Sequence, residues 1–334
     1  METRMAKTGS FAGIKGFVLS NSILLLLLLM FAASALFVPN FLSPFNMKNL
    51  LLQSVDIMII SVGVTFVLLN GGIDFSCVAV LALGSVLGAY IMAKSPLAHT
   101  PYAIPVGILA MISIGLLVGA VNGFSVVVLK MPSFIATLAT MMVGSGVAVW
   151  FTSIASDKAS IIGLPEKFFI LGGTRGHTFV PIYIALVLIL LAHWLLSTTV
   201  FGRRVFAIGT NPKAAFISGM PVKRTVFLLL LVSGACAGIQ SVIATARNQA
   251  GIPSLGDRVF IDIVAAIIIG GTSVFGGSGG VIKTVYGVLF ISLLNNDVNM
   301  LGIEWYVISL IKGLLVLIAA FIDVFSKRID LIRR

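Results

Sequence analysis

This chain has little charge for its length. Only 10% of its residues are Asp, Glu, Lys or Arg, against about 25% in soluble domains. Acids are the scarcer half, 11 against 22 basic residues. With 59% hydrophobic residues and a mean hydropathy of +1.14, the chain cannot fold in water without leaving apolar surface exposed, so a soluble enzyme or binding module is excluded. Histidine is rarer still, with three residues. His99, His177 and His193 fall in loops and at a span end, far from metal-ligand spacing. Cys77 and Cys236 lie in separate apolar runs and read as small buried residues, not as a disulfide or a metal pair. The net charge of +11 is not a nucleic-acid signature, because the basic residues sit in short loops and the tail, as in membrane proteins with a positive inside face.

What is there, instead, is a series of apolar runs. A bilayer core needs about 20 apolar residues per helix, and breaks at Pro, Gly and charge clusters divide the chain into about ten such spans. They cover roughly 16–38, 49–69, 75–94, 103–129, 133–155, 179–198, 222–245, 259–275, 280–297 and 305–323. Arg4, Lys7 and Lys15 before a leucine-rich run, with Ala33-Ser34-Ala35 after it, imitate a signal peptide. The run from Gly16 is long enough to span, so an uncleaved first helix is expected. The fold class is therefore an all-α integral membrane protein with an internal pseudo-repeat.

With the N-terminus inside, fourteen basic residues fall on the cytoplasmic side and seven outside, which places both termini in the cytoplasm. The organisation is then a cytoplasmic N-terminus (1–15), one transmembrane domain (16–323) with a cytoplasmic loop 199–224 and an outer loop 156–178, and a basic tail (324–334). The outer loop carries mixed charge with Pro165 and several glycines. It reads equally as a lip for an external partner or as a plain connection.

Two glycine-rich interruptions stand between apolar runs, one in each half: Asn70-Gly71-Gly72-Ile73-Asp74-Phe75-Ser76 and Gly270-Gly271-Thr272-Ser273-Val274-Phe275-Gly276-Gly277. Glycine pairs break a helix and let backbones approach closely, and Asp74 or Ser76 can cap the restarted helix. Matched breaks of this kind point to a transport pathway between repeats; the alternative is a pair of tight turns without solute contact. Asp56, Asn122, Asp262, Asn295, Asn296 and Lys312 lie inside spans, where a central Asp or Lys facing lipid costs about 2.5–3.5 kcal/mol. They should face the bundle interior, a cavity or each other. Asn70, Gly71, Gly72, Asp74, Asn122, Asp262, Asn295 and Asn296 are the candidates for pathway or gate. Lys312 is expected to pair with an aspartate in a structural role.

Enzymatic look-alikes fail. Gly276–Thr284 resembles a phosphate-binding loop, but Ile282 stands where that motif needs Gly before Lys283, so no ATP site is expected on this chain. Gly276-Gly277-Ser278-Gly279 imitates an intramembrane serine protease, yet no histidine follows His193 to serve as base.

The loop Phe201–Arg224 carries Arg203, Arg204, Lys213, Lys223 and Arg224 with no acid among them. Asn211 can cap a short helix beginning at Pro212. Lys213, Ala214, Ala215, Phe216, Ile217 and Ser218 continue it to Gly219, which ends it. Two turns are too short to be stable alone, so the helix must pack on something, either a cytoplasmic partner or the lipid surface.

FGRRVFAIGTNPKAAFISGM resembles the cytoplasmic signature of permease subunits of ribose-type sugar ABC importers. NGGIDFS, DIVAAIIIGGTSVFGG and the late Asn295-Asn296 followed by Lys312 add to the likeness, which covers nearly the whole chain. The resemblance implies a homodimer or close heterodimer with about ten helices per subunit. It also implies a coupling helix at Asn211–Gly219 docking into a cytoplasmic ATPase subunit that binds ATP and Mg, and an extracytoplasmic sugar-binding protein at the outer mouth. The chain departs from the pattern at Cys77-Val78-Ala79 after GGIDFS, at Ile261 in place of a Glu, and at Ile308 in place of a Gln. These changes remove polar groups near the pathway and bear on which sugar is carried, not on transport. The expected function is import of a ribose-like sugar or polyol powered by the partner's ATP. Alternatives are the same architecture carrying nucleosides, an autoinducer or branched-chain amino acids, and an ATP-independent secondary transporter or channel.

Overall fold

The computed structural model describes residues 22–174, 179–257 and 259–332. The expected N-terminal segment 1–15, the start of the first span, His177, and Arg175, Arg258, Arg333 and Arg334 lie outside the described residues. Among the described residues the chain is helical, with one isolated bridge between Ile161 and Gly251.

The helices are α1 (Ser22–Phe37), α2 (Pro44–Leu69), α3 (Cys77–Ala93), α4 (Ala103–Val127), α5 (Ser133–Ala155), α6 (Val180–Thr198), α7 (Val200–Thr210), α8 (Pro212–Ile217), α9 (Val222–Asn248), α10 (Val259–Ile269), α11 (Val281–Met300) and α12 (Trp305–Ile332), with a 3₁₀ turn at Glu166–Gly172. Six of them (α2, α4, α5, α6, α9 and α11) are long and apolar enough to cross a membrane. Most expected spans fall on a helix within a few residues. The largest differences are at the tenth, 305–323, where α12 continues to Ile332 through most of the expected tail, and at the eighth, 259–275, where α10 stops at Ile269. Gly270 and Gly271, the latter at φ +88°, end it. At the second span the helix starts earlier, at Pro44, because Ser43 caps it by accepting from the Asn46 N–H.

α2 is the central helix, buried along nearly its whole length and packed against α9, α11, α6 and α10. α4, α5, α6 and α12 form an outer layer whose leucines, valines and phenylalanines, such as Leu117, Val143, Leu190 and Leu314, stay exposed. This is the expected surface of a helix that faces lipid. The tightest pair, α4 with α9, is made by Gly115 and Gly119 against Gly234 and Gly238. A Cβ at Gly115 would strike the Gly234 carbonyl, and one at Gly234 the Gly115 carbonyl. Small residues four apart on both helices let the backbones touch, the usual device for joining helices in a solvent that offers no hydrophobic drive.

Candidate functional site

The two glycine-rich interruptions meet. α2 ends at Asn70, Gly71 turns the chain at φ +76°, and Ile73 is then tied to α5. Its N–H donates to Ser133 Oγ (3.2 Å) and its carbonyl accepts from Thr137 Oγ1 (3.1 Å). Asp74 is buried and satisfied. Its Oδ1 accepts from the Ser76 N–H (2.9 Å) and hydroxyl (2.6 Å), and its Oδ2 from Ser233 Oγ on α9 (2.6 Å). Of the two expected caps for α3, the carboxylate of Asp74 takes the backbone bond, and Ser76 makes no side-chain cap. The second interruption returns to the first. The Gly277 N–H donates to the Leu69 carbonyl at the end of α2 (2.8 Å). A Cβ at Gly71 would press on the Phe275 carbonyl, and one at Gly276 would collide with the Gly71 nitrogen.

A third segment closes this node. Thr199 caps α7 by accepting from the Gly202 N–H (3.3 Å), and Gly202 packs on the backbone of Leu196, so α7 leaves α6 through a sharp bend. At its other end Gly209 lies over the Leu69–Gly277 hydrogen bond. A Cβ there would run into the Leu69 carbonyl oxygen and the Gly277 nitrogen, and Thr210 packs on Gly277. Three backbone segments from distant parts of the sequence thus touch with almost no side chain between them.

The next residue, Asn211, begins α8. Its Oδ1 accepts from the Ala214 N–H (3.0 Å), with Pro212 in the first helical position. Beyond Ser218 the chain turns at Gly219, φ +76°, with the Gly219 N–H on Phe216 O (3.0 Å) and the Met220 N–H on Ala215 O (3.1 Å). That pair of bonds is a Schellman ending, which satisfies the last carbonyls of the short helix. Ala215 is buried, while Phe216 and Ile217 are 70% and 84% exposed. With Pro212 and Val222 they line an apolar depression flanked by Lys213 and Lys223. The sequence pointed to α8; α7 and the role of Gly209 were missed. The only signal was a glycine two residues before the Asn211 cap.

The remaining candidates divide. Asn70, Gly71 and Gly72 line a small pocket of about 260 Å³ beside Ser133 and Val226. Asn122 is buried and accepts from Thr140 Oγ1 (2.7 Å), which links α4 to α5. Asp262 and Asn295 come together at the bundle end opposite the node. Asn295 Nδ2 donates to Asp262 Oδ2 (3.0 Å), and Lys312 Nζ holds Asp262 Oδ1 in the ion pair expected for that lysine. Asp56 pairs with Arg247 nearby (3.5 Å). Asn296 points elsewhere, forming a reciprocal amide pair with Asn46 (3.1 and 2.9 Å) that ties α11 to the start of α2. Adjacent asparagines on a helix face different ways, and the structure separates what the sequence had paired.

Comparison with known proteins places this architecture. The family model described as branched-chain amino acid transport system / permease component matches residues 46–320. The chain is similar to the ribose import permease protein RbsC of Bacillus subtilis, at 37% identity over 96% of this chain and 93% of that protein. It is also similar to the L-arabinose transport system permease protein AraH of Escherichia coli (31%; 90% and 88%) and to the galactose/methyl galactoside import permease protein MglC of Haemophilus influenzae (31%; 91% and 93%). No solved structure gives a significant match. A multi-pass helical bundle, matched by the model from near the start of α2 into α12, belongs to the branched-chain amino acid transport system / permease component family.

Proposed function

We propose that this chain is the membrane-spanning subunit of an ATP-driven importer for a ribose-like sugar or related polyol, in a bacterial cytoplasmic membrane. The named sugar permeases that it resembles over most of its length support the substrate class. The spans number about ten, and both termini face the cytoplasm. On this reading α7, α8 and the glycine node lie on the cytoplasmic side, and segment 156–178 forms part of the outer mouth. A second permease subunit, an ATPase subunit that binds ATP and Mg, and an extracytoplasmic sugar-binding protein complete the transporter.

One observation carries the mechanism: α8 follows α7 after the single extended residue Asn211, and the end of α7 rests on the backbone junction of the two glycine interruptions. ATP binding closes the partner dimer and displaces α8 at Asn211–Gly219. No flexible side chain cushions Gly209 against Leu69 and Gly277, so that displacement passes into the end of α2 and the break after α10. Close-packed contacts of this kind switch between discrete arrangements instead of deforming smoothly. Asn70, Gly71 and Gly72 then sit where the pathway opens to the cytoplasm, with Asp74 and Asn122 fixing the surrounding helices. Asp262 and Asn295 lie on the outer part of the pathway, and Asn296 supports it.

The test is reconstitution in vesicles with the partner ATPase and the loaded binding protein. Wild-type chain should take up sugar only with ATP. The double change Phe216→Ser and Ile217→Ser, on exposed side chains, should abolish uptake and release the ATPase. Full ATP-driven uptake by that variant would contradict the docking assignment.

A further inference from the structure

At the end of the bundle away from the node lies a cavity of about 460 Å³, within the range of small-molecule sites. Its polar wall comes from four helices and one linker and includes Gln53 and Asp56 on α2, Asp262 on α10, Asn295 on α11, Lys312 on α12, and Asp257 before α10. A wall of this polarity facing hydrocarbon would cost several kcal/mol, so it faces a watery path.

Its groups are unevenly matched. Among the described residues the wall carries three carboxylates, set against one ammonium in the wall and the Arg247 guanidinium that reaches Asp56 from beside it. Asp262 is occupied at both oxygens, by Lys312 and by Asn295. Asp56 is not. Its Oδ2 reaches Arg247 at 3.5 Å, and its Oδ1 is enclosed without a hydrogen-bond partner. An unmatched buried acceptor is costly until a donor arrives. The ligand that suits this wall is therefore rich in donors and carries no negative charge, because an anion would face an excess of carboxylates.

Resting on the importer reading above, we propose that this cavity is a solute subsite for neutral, hydroxyl-rich molecules. Asp56 accepts a hydroxyl of the solute, and the carboxylate excess rejects anionic relatives such as sugar phosphates. Ile57, Val259 and Ile308 offer apolar contact to the C–H face of a sugar ring. The subsite discriminates by charge class at the permease itself, after delivery.

Ile308→Cys supplies the probe, since the natural Cys77 and Cys236 are buried. The complete transporter in vesicles is treated from the outer side with a membrane-impermeant maleimide. A panel of neutral pentoses and hexoses, and the matching sugar phosphates, are added as protectants. At least one neutral sugar should slow labelling several-fold, its phosphate should not, and protection should vanish in Asp56→Asn. It should stay absent when Arg247→Gln is added, which separates a solute contact from a mere ion-pair role. Failure to label at all, no protection by any neutral sugar, equal protection by the phosphates, or protection restored in the double variant would each overturn the subsite. ATP-driven uptake measured in the same vesicles keeps the two readings apart: uptake without protection removes only the subsite, whereas no uptake by unmodified chain removes the importer reading.

Discussion

At the glycine node three backbone segments meet with almost no side chain between them, whereas at the opposite end four helices are organised by carboxylates, amides and an ammonium. The first contact is stiff and short-ranged, and it tolerates no added atom at Gly209 or Gly276. The second is held by Lys312–Asp262–Asn295 and Asp56–Arg247, whose partners can change without collision. On the proposed reading, the difference separates two tasks. Motion is transmitted best through parts that cannot yield, and a polar solute is received best by groups that can exchange one partner for another.

Perturbations should therefore act differently at the two ends. The largest loss of stability is expected from Lys312→Met. The pair is mostly buried, at 11% and 13% side-chain exposure, and removing one partner of a buried pair costs about 3–5 kcal/mol. The midpoint of thermal unfolding in detergent should fall sharply and recover in large part when Asp262→Asn is added. No recovery would mean that Lys312 matters for packing alone.

At the node, Gly209→Val should act on transport more than on assembly. Adding atoms to a packed contact costs about 1–3 kcal/mol, enough to depopulate the tight arrangement roughly five- to 150-fold. Uptake should fall while the ATPase still co-purifies; unchanged uptake would remove the node from the coupling route. Gly219 offers a control of the opposite kind, with open space around it but φ +76°. Gly219→Ala meets only backbone strain, about 1–2 kcal/mol, so it should weaken ATPase docking modestly, measured as a lower yield of co-purified subunit. The smallest effect is expected from Asn46→Ala. It breaks the amide pair with Asn296, and hydrogen bonds between helices in membranes average about 0.6 kcal/mol. A small drop in unfolding midpoint with normal uptake would confirm a supporting role for both asparagines.

The spans and the breaks were legible because bilayer thickness and glycine act locally: Ser133–Ala155 and the Asn211 cap could be read from a few neighbouring residues. The partners across the bundle were not. Nothing near Asp74 in sequence announces Ser233, and nothing separates Asn295, in the cavity, from Asn296, on Asn46. Those assignments depend on helix rotation, which apolar composition on every face leaves undefined. Gly209 was missed for a related reason. Its importance lies in what approaches it, the Leu69 carbonyl and Gly277, and both come from elsewhere in the chain. The resemblance to sugar permeases reached the class of transporter but not the packing of α7 on Leu69 and Gly277.

The most direct measurement places a photo-crosslinking residue at Lys213, on the exposed face of α8, in the transporter purified from its membrane. An adduct with the ATPase subunit is expected from position 213 and not from a matched probe at Asp157 in the segment between α5 and α6, and its yield should change when ATP is trapped in the partner. An adduct of equal yield from both positions, or none from 213 in a complex that hydrolyses ATP, would contradict the assignment of α8 as the element through which this chain is driven.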